Sequence, residues 1–130
     1  MRTVLGVVLG YALFAVSAVA LFRLSGHDPH VSASFAFESF TIAYGILFAG
    51  AAGYLATLVV ARRDLRAAGM VAGILALVAF VSLVARPGAG AIWTQLSAVV
   101  LFAPTVVLGG WCRLRYHARR YKADPGAPRA

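Results

Sequence analysis

From Phe40 to Val60 the chain reads FTIAYGILFAGAAGYLATLVV without one charged side chain. At a rise of about 1.5 Å per residue, roughly 20 such residues match the ~30 Å hydrocarbon thickness of a bilayer. The stretch predicts a membrane-crossing helix, because lipid offers the backbone no hydrogen-bond partner and a helix satisfies its own. Gly45, Ala49 and Gly53 recur every fourth residue and share one face. They leave a groove free of side chains where a second helix can come close.

Three further apolar runs follow the same rule. With them the chain reads as an all-α integral membrane protein, with spans at about 3–22, 38–60, 67–85 and 91–112 in an up-down bundle of four antiparallel helices. Residues 1–112 form this single transmembrane domain, and 113–130 are a basic cytoplasmic tail that turns Pro- and Gly-rich at its end. Hydrophobic residues make up 62% of the sequence and charged ones 12%, with a mean hydropathy of +0.85, which no water-soluble core of this size requires. The first run has an alternative reading as a signal peptide, with Ala18-Val19-Ala20 as a cleavage pattern. Its apolar character continues through Leu21 and Phe22, so a retained helix is expected. Gly6 and Gly10 in that helix, and Gly69 and Gly73 in the third, repeat the four-residue spacing of small residues that lets helices pack. The third pair is expected to face the Gly53 to Thr57 end of the second helix across the short connector ARRDLR, 61–66.

Charge decides the orientation. Arg2, Arg62, Arg63, Arg66, Arg113, Arg115, Arg119, Arg120, Lys122 and Arg129 fall on one side of a four-span chain, and Arg23 and Arg86 on the other. The positive-inside rule therefore places both termini in the cytoplasm. The net charge of +8 is explained by this topology, so no nucleic-acid partner is expected. The cations are nearly all arginine, and Ala, Val and Gly are abundant, a bias of GC-rich bacterial genomes that points to an inner membrane. Trp93 and Trp111 sit near the two ends of the fourth span, about 27 Å apart along a helix, and mark the two lipid interfaces. Arg113, Arg115, Arg119 and Arg120 are expected beside Trp111 among the headgroups. Pro104, inside the same span, removes the donor for the carbonyl of Val100 and predicts a kink.

Polar chemistry is sparse. His27, Asp28 and His30 gather in the first loop with Glu38 just beyond, weak candidates for a metal or proton site. The loop lacks the rigid four-ligand setting of a structural metal centre, so no metal or cofactor is expected. Glu38 heads the small-residue seam, seven, eleven and fifteen residues before Gly45, Ala49 and Gly53. A carboxylate facing a bundle interior is a candidate for ion or proton handling. Its depth, about 16 Å from mid-span, places it at the hydrocarbon edge, paired with Arg23 or Arg86. Ser17, Thr57, Ser82, Ser97 and Thr105 have no neighbouring base and can bond their own helices' carbonyls. Cys112 stands alone, which excludes an intrachain disulfide and a paired-cysteine metal site. No nucleophile elbow, phosphate loop or HExxH is present, so an enzyme is not expected.

Two function classes stay open. In size and helix count the chain resembles the small multidrug resistance exporters and the small fluoride channels, a likeness that implies a homo-oligomeric transporter or channel using Glu38. The exporters carry a glutamate well inside the first helix, where this chain has none, and both families tend to a near-neutral charge bias. The other reading is a structural or accessory subunit that packs against itself or a membrane-protein partner through its Gly and Ala seams. Low polarity within the spans favours this second class.

Overall fold

The computed structural model describes residues 1–27, 34–60, 64–85, 96 and 98–123, leaving aside the side chains of 98 and 120–123. Among them every element is helical: α1 (Arg2–Ser25), α2 (Phe35–Val60), α3 (Arg66–Ala85), a π-helical turn (Ala98–Phe102) and α4 (Ala103–Ala123). Three of these helices, α1, α2 and α3, are long and apolar enough to cross a membrane.

Local chemistry sets the helix ends. Gly26 takes a left-handed conformation at φ +69°, where a side chain would be strained, and closes α1. Ser34 opens α2: its Oγ accepts from the Phe37 N–H at 3.4 Å. Asp64 does the same for α3, its Oδ1 accepting from the Arg66 N–H at 3.2 Å.

α2 is the central element and touches α1, α3 and α4. It presents two adjoining faces of small residues. One receives α1: a Cβ built on Gly6 would lie 2.6 Å from the Ala56 carbonyl oxygen, and one on Gly10 would lie 2.9 Å from that of Ala52. The other receives α4, where Gly53 abuts the backbone of Val106, Gly109 abuts that of Gly50, and the Phe102 ring covers Gly45. Backbone thus meets backbone on both sides of α2. α3 packs across the other helices with Ala67, Ala68, Val71, Ala72 and Leu75.

The core is built largely of alanine, glycine and valine, with Phe102 as its one aromatic ring among the described residues. Large apolar side chains point outward instead: Val16, Leu47 and Leu77 are all more than 60% exposed. In water such a surface would far exceed the apolar patches of a soluble monomer. It is a surface suited to lipid.

One expectation is corrected here. Gly69 and Gly73 do not close the α2–α3 hairpin; both are exposed, and a Cβ on either would meet nothing within 4 Å. The buried stripe of α3 lies beside them, at Ala68, Ala72, Leu75 and Ala79, because these four share a face and the glycines fall outside its arc. The last helix runs without interruption past Cys112 to Ala123.

Pro104 is accommodated rather than simply kinking a helix. The π turn ends two residues before it and runs directly into α4. Pro104 brings no N–H to the helical ladder, and the Val100 carbonyl it leaves without that donor lies inside the π turn.

Gly53→Leu is expected to destabilise the bundle by about 2–3 kcal/mol or more, because its side chain would have to displace the α4 backbone. Gly73→Ala, facing open space, should be neutral or stabilising by up to ~1 kcal/mol. Unfolding titrations in mixed micelles compare the two directly.

Candidate functional site

Hydroxyls inside the helices are internally satisfied. Ser17 Oγ donates to the Phe14 carbonyl at 2.7 Å, Thr57 Oγ1 to that of Gly53 at 2.5 Å, and Thr105 Oγ1 to that of Leu101 at 2.6 Å. Each closes on its own helix, as their isolation from any base implies. Tyr44 differs: its OH donates across to the Ser17 carbonyl at 3.2 Å and ties α2 to α1. Ser97 lies outside the described residues.

At the end of the bundle where α1 finishes, His27 is exposed, with its Nδ1 3.0 Å from the Ser25 carbonyl and its ring stacked on Phe37 at 4.0 Å. Glu38 is half-buried in the first turn of α2. Among the described residues neither it nor Arg23 takes part in an ion pair. Asp28, His30, Arg86 and Trp93 lie outside the described residues. No group of three metal-ligating side chains occurs among the described residues.

The opposite end, where α2 finishes and α3 begins, holds the least expected feature. The buried stripe of α4 runs Phe102, Val106, Gly110, Arg113. Gly110 abuts Ala68, Leu65 and Thr57, so Arg113, three residues on, enters the bundle beside the start of α3. Arg113 is 6% exposed, and its Nε is buried with no hydrogen-bond partner. The nearby carboxylate, Asp64, is turned to Arg66, with Oδ2 4.0 Å from that residue's Nε.

The cations expected at the lipid interface therefore separate. Arg115 and Arg119 are exposed, and Arg115 lies over the Trp111 ring at 3.9 Å from its centroid. The Arg120 side chain is outside the description. Arg113 belongs to the interior. Its four- and seven-residue spacing from Gly109 and Val106 was the signal available in the sequence, masked by the run of arginines around it.

The structure thus defines a class: an all-helical protein with three helices suited to a bilayer and, among the described residues, one arginine buried at an end of its core. No protein-family model, curated protein or solved structure matches the chain.

Tyr44→Phe removes the α2–α1 hydrogen bond while keeping the ring. It is expected to cost about 0.6 kcal/mol, the average for interhelical bonds in membranes, read from unfolding in mixed micelles.

Proposed function

We propose that the chain is a structural or accessory subunit of the cell's inner membrane that docks on a membrane-protein partner through α3. In this reading four antiparallel spans run in up-down order, at about 3–22, 38–60, 67–85 and 91–112, with both termini cytoplasmic. The observation that carries it is the fate of the small-residue seams. Gly6, Gly10, Gly45, Ala49 and Gly53 are buried within the chain, whereas Gly69 and Gly73 leave an open strip on the outer face of α3. A pair of small residues four apart on a lipid-facing surface lets a foreign helix approach to backbone distance. Satisfied hydroxyls along the spans agree with a bundle that packs rather than transports.

Affinity purification of the tagged chain from its native membrane, followed by native mass determination, tests this. A stoichiometric partner is expected, and Gly69→Leu with Gly73→Leu should reduce its recovery about tenfold while the chain itself still folds. A homodimer that conducts a flux lost in Glu38→Gln would replace the accessory reading with transport. Orientation has its own test in a Cys112→Ser background. An impermeant maleimide applied to intact cells should label His27→Cys and leave Arg66→Cys unmodified.

A further inference from the structure

Arg113 presents a physical problem that the other described residues do not solve. Arginine, unlike lysine, does not escape burial by giving up its charge. A buried cation left unpaired is strongly unfavourable, and stable examples are paired or hydrogen-bonded to an anion. Among the described residues the two carboxylates are both engaged elsewhere or remote. Asp64 faces Arg66, and Glu38 lies in the first turn of α2, at the far end of the bundle. The counter-charge has to come from outside the described helices.

Its surroundings indicate which anion. Arg113 is followed on α4 by the exposed Arg115 and Arg119, and the exposed Arg66 opens α3 at the same end, so this end of the bundle is strongly positive. Trp111, with Arg115 stacked on it, is a side chain suited to the headgroup level. An arginine fork matches the oxygens of a phosphate in a bidentate pair. Basic recesses between helices on the cytoplasmic side are where headgroup phosphates bind.

We propose that Arg113 binds a phosphate oxyanion, supplied by the headgroup of an anionic phospholipid seated between the start of α3 and the end of α4's apolar portion. The bound lipid completes the electrostatics of the core and seals this end of the bundle. Arg115 and Arg119 attract anionic lipid to the surface; Arg113 holds one molecule. The inference rests on the chain being a membrane protein and is independent of whether it serves as an accessory subunit.

The test titrates the full-length chain, delipidated in detergent, with phosphatidylglycerol and with phosphatidylcholine and reads bound lipid by native mass spectrometry. One phosphatidylglycerol per chain is expected to survive activation that strips the rest, with about tenfold preference over phosphatidylcholine. Arg113→Gln should abolish that preference and Arg113→Lys weaken it, while Arg115→Gln and Arg119→Gln retain it, with helical circular dichroism confirming the fold of each. Equal retention of the two lipids by the unaltered chain overturns the proposal even if Arg113→Gln fails to fold. Undiminished selectivity in folded Arg113→Gln overturns it as well. Displacement of the lipid by inorganic phosphate, with phosphate then bound in its place, refutes the lipid as the source. A carboxylate of a copurifying protein cross-linked at position 113 refutes the phosphate. Release of the chain from membranes by alkaline carbonate would show that the membrane reading itself has failed, before any lipid is tested.

Discussion

Everything in this bundle depends on how closely the backbone of α2 can approach its neighbours. In lipid there is little hydrophobic gain in burying one apolar side chain against another, because the acyl chains are equally apolar. What remains is dispersion, which falls away within fractions of an ångström, and so rewards surfaces that touch along their whole length. Gly6 and Gly10 against Ala56 and Ala52, and Gly53 and Gly109 against Val106 and Gly50, provide that contact. Side chains at those four glycines would separate the helices, and the small core at Ala49, Ala56 and Val71 would lose its cover.

The same constraint orders the rest of the molecule. Once the interior is narrow, bulky residues have no place in it, and leucines and valines line the outside. Phe102 is admitted because Gly45 makes room beneath its ring, with Phe14 beside it at a centroid distance of 5.7 Å. Its position follows from Pro104, since the π turn that precedes the proline ends at Phe102. A proline that disturbs helical bonding is thus paired with the interior's largest ring. Buried hydroxyls fit because each closes on its own backbone. Arg113 is the exception, a charge on a stripe otherwise occupied by Phe102, Val106 and Gly110.

Much of this was legible in residue order. The seam of Gly45, Ala49 and Gly53 and the pair Gly6 and Gly10 are buried where their spacing places them, on faces that meet other helices. Gly69 and Gly73 have the same spacing and are open. Spacing states that two residues share a face; it does not state whether the face is turned in or out. On α3 the alanines Ala68 and Ala72 offer an equally small face one step away, and packing chose that one. Arg113 is hard to single out in the sequence for a related reason. In a run of cations each residue looks like a headgroup partner, and only the helix phase relative to α2 and α3 distinguishes Arg113 from Arg115 and Arg119.

By itself, the sequence determined that this protein is helical and suited to lipid, because long charge-free runs leave the backbone no other way to satisfy its polar groups. It also determined where α2 is smooth enough to be packed against, since absent side chains are a local property. Tertiary structure alone decided which small faces are consumed within the chain and which are left open. It decided, too, that Arg113 lies buried with its Nε unpartnered among the described residues. Both depend on the rotation of each helix about its axis, a quantity set jointly by all the neighbours and written in no single segment.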